Sequence, residues 1–176
     1  TFAPWPFVAD LRTGAMSGGS AEQAMLSAAA AQIGAYYDLP TSVPAGMADS
    51  KLSDAQSGSE KAYTTLLAGL AGASMVHESA GMHASILGCA FESFVIDDDM
   101  LGSILRTIRG IEVTDETLSL EVIRDVNIHG PGHYLGHEQT IKLMESEYNY
   151  PNLSDRKTPR DWEESGAFDV EHRARK

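Results

Sequence analysis

Thr41-Ser42-Val43-Pro44-Ala45-Gly46-Met47 is short, partly β-branched and bounded by turn residues, with Asp38-Leu39-Pro40 before it and Ala48-Asp49-Ser50-Lys51 after it. That pattern predicts a buried strand or extended segment. Toward the amino end, Gly18-Gly19-Ser20 runs into Ala21-Glu22-Gln23-Ala24-Met25-Leu26. Ser20 stands where a helix cap belongs, Glu22 lies in the first turn, and Ala-rich sequence continues to Tyr37, so a helix precedes the strand. Toward the carboxy end, Ala62, Leu66, Leu67 and Leu70 recur at helical spacing, predicting a second helix from about Asp54 to Leu70 that closes at Ala71-Gly72-Ala73. Ser74-Met75-Val76-His77-Glu78-Ser79 then reads as a second strand, leading to a Gly81-Met82-His83 turn.

Helix, strand, helix, strand is the order of an α/β protein with a parallel sheet. The architecture expected is a parallel (β/α) TIM-type barrel, because polar clusters follow each strand where barrel enzymes carry their chemistry. The strands are too few to close a barrel, so the chain is expected to be its carboxy-terminal part. The apolar opening Phe2-Ala3-Pro4-Trp5-Pro6-Phe7-Val8 reads as a cut through a longer polypeptide.

Beyond the second strand, an apolar segment from Ile86 to Ile96 precedes a helix expected from Asp97 to Arg109, capped by Asp97-Asp98-Asp99. Another helix is expected from Thr114 to Val126. Gly130-Pro131-Gly132-His133-Tyr134-Leu135-Gly136 is a glycine-punctuated loop, and His137 to Tyr148 is amphipathic enough for a helix. Residues 1–150 are thus expected to form the barrel part, and 151–176 a charged surface tail of the same domain.

Composition narrows the partners. Thirteen Lys and Arg against twenty-five Asp and Glu give a net charge of −12, which repels nucleic acid and anionic lipid. Apolar residues at 43% and charged residues at 22% are those of a folded chain. No run is long and apolar enough for a membrane span, and no signal-peptide layout opens the chain. The single cysteine, Cys89, lies among Leu87, Ala90 and Phe91 and reads as a buried small hydrophobe in a reducing compartment, which makes the cytoplasm the expected location.

Four segments carry a resemblance to a known family. They are Asp10-Leu11-Arg12-Thr13-Gly14-Ala15-Met16-Ser17-Gly18-Gly19, Met47-Ala48-Asp49-Ser50-Lys51-Leu52-Ser53-Asp54-Ala55-Gln56-Ser57-Gly58, Val76-His77-Glu78-Ser79-Ala80-Gly81-Met82 and Gly130-Pro131-Gly132-His133-Tyr134-Leu135-Gly136-His137. In this order they resemble the trimethylamine methyltransferase family, from Asp10 to Arg173. The resemblance implies a parallel β/α barrel that passes a methyl group from a methylated amine to the cobalt of a cobalamin-type corrinoid held by a separate protein. The methanogen branch carries pyrrolysine at its active site, whereas bacterial relatives without it act on quaternary amines such as glycine betaine. No nonstandard letter appears here, which turns the expectation toward a quaternary amine such as glycine betaine, with trimethylamine kept as the other expected substrate.

Displacement by cobalt at a methyl carbon needs positioning and desolvation rather than proton abstraction. A quaternary ammonium has no hydrogen-bond donor and is held by aromatic faces, each contributing roughly 0.5–2 kcal/mol, and by carboxylates. Glu78, just past a strand, is the carboxylate expected to face the cation, set against pairing with an Arg or Lys. His77 is expected to be packed rather than a ligand. Asp49 and Lys51 on a strand exit loop, His83, and Asp10 with Arg12 are expected substrate contacts; the alternatives are a helix cap for Asp49, an exposed ion pair for Lys51 and a loop-bracing pair for Asp10 and Arg12. His133 is the leading catalytic histidine. Gly130, Gly132, Gly136 and His137 are expected to meet the corrinoid, set against a tight helix-to-helix connection. No direct metal site is expected, because Tyr134-Leu135-Gly136 between His133 and His137 lacks the glutamate of the metalloprotease helix. The competing functional class is a noncatalytic binding protein for methylated amines or osmolytes. Self-association into a homo-oligomer is expected from apolar surface.

Overall fold

The computed structural model describes residues Thr1–Lys176. Helix α1 (Ala21–Tyr36) begins at Ser20, whose hydroxyl accepts from the Gln23 amide. Its buried face consists of Gln23, Ala24, Ser27, Ala30, Ala31 and Gly34, mostly small side chains that let the backbone come close to the strand beneath. At Gly34 a Cβ would overlap the Thr41 hydroxyl.

Strand β1 (Ser42–Pro44) is followed by α2 (Ala55–Leu70) and β2 (Met75–His77). β1 and β2 are parallel, with Ser42 opposite Met75, Val43 opposite Val76 and Pro44 opposite His77. On its other edge β1 is met by the amino-terminal segment, where Phe2 bridges Thr41 in parallel. The Phe2 amide donates to the Pro40 carbonyl at 2.9 Å, and the Ser42 amide to the Phe2 carbonyl at 3.0 Å. Three parallel segments therefore lie side by side in chain order, joined through α1 and α2, as parallel neighbours require.

Side chains alternate between the two faces of a sheet. Val43, Ala45 and Val76 join Ala30, Ala68 and Ala73 in the core between strands and helices. Ser42, Pro44 and His77 consequently lie on the face turned away from that core. Along residues 1–10 exposure alternates residue by residue, which marks an extended chain laid along a surface.

After β2 comes a small antiparallel ribbon of β3 (Met82–His83) and β4 (Gly88–Cys89). Cys89 is exposed, a correction to the expectation of a buried thiol: its strand is two residues long and places it on the outer side. Helix α3 (Phe91–Arg109) starts six residues before the expected acidic cap. Asp97 is not a cap but a buried residue of the helix interior, because Lys61 from α2 neutralises it at 2.6 Å. The cap of α2 is Asp54, which accepts from the Ser57 amide at 2.9 Å.

The chain divides into two compact units, residues 1–104 with 151–176, and residues 105–150. In the second, α4 (Asp115–Leu118) opens with a capping box at Thr114. The single helix expected to Val126 is instead broken at Ser119, which takes φ +53°, and resumes as α5 (Leu120–Arg124) before widening into a π-turn at Asp125–His129. Helix α6 (Glu138–Glu147) is capped by His137, whose Nδ1 accepts from the Gln139 amide at 3.1 Å. In the first unit, the tail contains α7 (Pro159–Glu164) and α8 (Val170–Ala174). It is tied to α3 by the Asp99 carboxylate, which accepts from the amides of Asn152, Leu153 and Ser154, and by the Arg175–Glu92 ion pair at 2.8 Å. No helix is long and apolar enough to cross a membrane.

Candidate functional site

The loops leaving β1 and β2 lie at the same end of the parallel pair. Where β1 exits, the Asp49 carboxylate is committed to the chain's own donors. Its Oδ1 accepts from the Gly19 amide at 3.1 Å and lies 2.7 Å from the Ser85 hydroxyl, and its Oδ2 accepts from the Ser17 hydroxyl. The Asp49 amide in turn donates to Glu60 at 2.7 Å. Asp49 thus braces three loops together, and the same packing explains Gly19, where a Cβ would lie 2.8 Å from Glu60 Oε2. The Lys51 ammonium is exposed and donates to the Asp49 carbonyl at 2.7 Å.

Asp10 and Arg12 form a local fork, with Arg12 donating through its amide at 2.8 Å and its guanidinium at 3.1 and 2.6 Å. The guanidinium hydrogen bond, followed by the Arg12 amide, brings the Asp10 carboxyl down to about 2. They border a cavity of about 630 Å³ with Phe7, Ser17, Ser20 and Glu22 along its wall.

Where β2 exits, Glu78 is half-buried at φ +63°. A glutamate pays a strain of about 1–2 kcal/mol in that left-handed conformation. Its carboxylate engages no cationic side chain, so the structural alternative of an Arg or Lys partner is not realised. The neighbouring His77 packs against Trp5, ring centroids 5.3 Å apart, and Trp5 meets Phe7 edge-on at 5.9 Å. Trp5 is 39% and Phe7 44% exposed. The ring cluster lies on the sheet face turned away from the helix-packed core, and the unpaired Glu78 is the residue that follows His77 as the chain leaves β2.

His83 is enclosed rather than presented. Its Nε2 lies 2.6 Å from the Ser93 hydroxyl, which lies 2.7 Å from that of Ser53, while Nδ1 has no partner. Burial and then the Lys61 charge depress its pKa, against the opposing pull of the Ser50 carbonyl, Asp97 and Asp54. Both of these leading causes favour the neutral imidazole over its charged form.

His133 and the glycine loop belong to the second unit. His133 is exposed. Gly130 is pressed against the π-turn, its Cβ position 3.0 Å from Val126 Cα. Gly132 has φ +76°, and both it and Gly136 have open space where a Cβ would stand. The His137 Nε2 and the His129 Nδ1 approach Asp125 at 4.0 and 3.9 Å.

The family model described as trimethylamine methyltransferase matches residues 1–176. The chain belongs to the trimethylamine methyltransferase family. It is 38% identical over 161 residues to a trimethylamine methyltransferase of Methanosarcina thermophila, covering 92% of this chain and 32% of that protein. It is 34% identical over 156 residues to a glycine betaine methyltransferase of Desulfitobacterium hafniense, covering 88% of this chain and 32% of the relative. The chain therefore spans about a third of the length of the curated relatives it matches. Sequence reasoning passes over two members of the aromatic cluster in this family chain, Trp5 and Phe7. The available signal was the spacing of two between them inside Phe2-Ala3-Pro4-Trp5-Pro6-Phe7-Val8, which in an extended chain puts both rings on one side.

Proposed function

We propose that this chain is the carboxy-terminal part of a parallel β/α barrel enzyme that transfers a methyl group from a trimethylamine-like or quaternary amine to a corrinoid carried by another protein. The observation that carries the reading is the half-open cluster of the Trp5, Phe7 and His77 rings at the exit of β2, where the next residue in the chain, Glu78, is a carboxylate without a cationic partner. The names of the relatives, which act on trimethylamine and glycine betaine, supply the substrate class. Parallel neighbours in chain order, with their polar exit loops at one end, support the barrel.

In this reading the aromatic faces take the methylated ammonium through cation–π attraction, and Glu78 balances its charge from one side. The left-handed backbone of Glu78 is the kind of local strain that clusters at ligand sites, which supports the reading. Asp49 and Asp10 hold the surrounding loops rather than the substrate, because their oxygens are already engaged. A reduced corrinoid would supply the nucleophile for the methyl group, and a quaternary ammonium, or trimethylamine bound in its protonated form, would then leave as a neutral amine with no proton removed by the protein. Gly132 and Gly136, with open space around them and with exposed His133 between, are the residues that fit a bulky ring; Gly130 is occupied by its own packing.

The test incubates the full-length protein with reduced cobalamin and either trimethylamine or glycine betaine, following cobalt absorbance. Methylation with one of these amines is expected. An active, folded full-length protein that methylates cobalamin with neither would overturn the reading.

A further inference from the structure

We infer that Asp97 is a positioning residue for Glu78, and that Lys61 is the counter-ion that allows a buried carboxylate to hold this place; the inference rests on the reading of Glu78 as the carboxylate facing the substrate cation. Asp97 lies on α3 and Lys61 on α2, far apart in sequence, and both are almost completely buried, at 3% and 1% exposure. One oxygen, Asp97 Oδ2, accepts from the Lys61 ammonium at 2.6 Å and from the Gly81 amide at 2.7 Å. The ion pair is therefore wired to the turn that carries Glu78.

The turn is gripped on every side. At its start, the His77 carbonyl accepts from the Ala45 amide at 3.1 Å, and at its end the Gly81 carbonyl accepts from the Ala90 amide at 3.3 Å. Gly81, at φ +79°, packs so tightly under Phe94 that a Cβ would lie 2.4 Å from the ring's Cζ. Gly46, at φ +86°, leaves room for the Ser79 backbone, whose Cα would lie 2.6 Å from an added Cβ. The Glu78 carboxylate makes no hydrogen bond or ion pair that would anchor the turn, and its left-handed backbone would relax if the turn were free. Of these grips, the Asp97 bond is made by a charged group, and such hydrogen bonds are the stronger kind.

A buried carboxylate is costly without a counter-ion, and a buried lysine equally so. Their pairing is often no better for stability than two apolar side chains would be. The extra Gly81 bond is what an apolar pair would lack. It gives the ion pair a use that packing alone does not.

Two variants of the full-length protein separate this use from packing. Lys61→Met with Asp97→Asn leaves an amide oxygen to accept from Gly81, whereas Lys61→Met with Asp97→Leu leaves none; both lack the ion pair, and neither leaves an unpaired charge. The peptide covering residues 78–81 is expected to exchange its amide hydrogens on the order of 10-fold faster in the Leu variant than in the Asn variant, while α1 exchanges alike in both. Equal exchange at 78–81 overturns the inference. The affinity for tetramethylammonium, measured by calorimetry, is expected to be weaker in the Leu variant than in the Asn variant, and this difference is expected to vanish when Glu78→Gln is added to each. A difference that persists undiminished without the Glu78 charge shows a merely structural role and also overturns it. Glu78→Gln alone leaving the affinity unchanged is instead a failure of the proposed cation site, and the exchange comparison then decides the clamp on its own.

Discussion

At the scale of single residues, what matters is which side chains are already spoken for. Asp49 and Asp10 are carboxylates in the loops that the family motifs mark, yet their oxygens are filled by nearby donors. Glu78 and Trp5 are the ones left open. Trp5→Leu keeps an apolar side chain but removes the ring face, and is expected to raise KM for a methylated amine by roughly 3- to 30-fold, the equivalent of one cation–π contact, with little change in kcat. Steady-state kinetics on the full-length protein checks it, and an unchanged KM removes Trp5 from the site. His83 yields a pH prediction. Unfolded, it titrates near 6.5, and folded it titrates lower because burial disfavours its charged form. Below 6.5 the unfolded chain binds more protons, so stability falls as pH drops toward the folded value and is complete above about 6.5. Urea midpoints are expected to decline more between about pH 7 and about pH 5 in the parent than in His83→Gln.

At the scale of elements, α1, α2 and α6 were legible, while the start of α3, the break at Ser119 and the helices of the tail were not. Ser20 announced the start of α1, since a hydroxyl before a helical run has one local use. The acidic run Asp97-Asp98-Asp99 looked like the same signal, but the cap reading failed there because Lys61, thirty-six residues away, stabilises Asp97 inside α3. A local pattern cannot report a partner on another helix. Close approach between elements is equally nonlocal. Gly34→Ala is expected to destabilise the protein by about 1–3 kcal/mol, despite the better helix propensity of alanine, because the methyl group would overlap Thr41 where α1 meets β1. Denaturant titration checks the sign: a stabilising Gly34→Ala would mean that α1 is not pressed onto the strand. Ser20→Ala is expected to cost about 1 kcal/mol in the same assay through the lost bond to the Gln23 amide.

At the scale of the whole molecule, the apolar surface is the salient feature. Leu11, Leu87, Phe91, Ile111 and Leu135 are all more than 80% exposed. Surface of this kind is seldom left bare in a soluble chain. The 176-residue chain expressed alone is therefore expected to bind an apolar fluorescent dye strongly and to self-associate, and the full-length protein to bind far less dye per residue. Dye titration and sedimentation of the two test this, and equal dye binding per residue would mean that the exposed faces are not covered in the longer protein. The charge of −12 works against nucleic acid, most strongly at low salt, and this was readable from the sequence because net charge is a sum and needs no geometry.

The helix, strand, helix, strand order from α1 to β2, the cap of α1, the acidic character and the family motifs were all set by the sequence alone, since each depends on neighbours within a few residues or on composition. Tertiary structure alone decided that Asp49 braces loops, that Asp97 pairs with Lys61 and reaches Gly81, and that Trp5 comes against His77. Those pairings join residues tens of positions apart, and a polar side chain's role follows from which donors and rings the packed chain brings within about 3–6 Å of it.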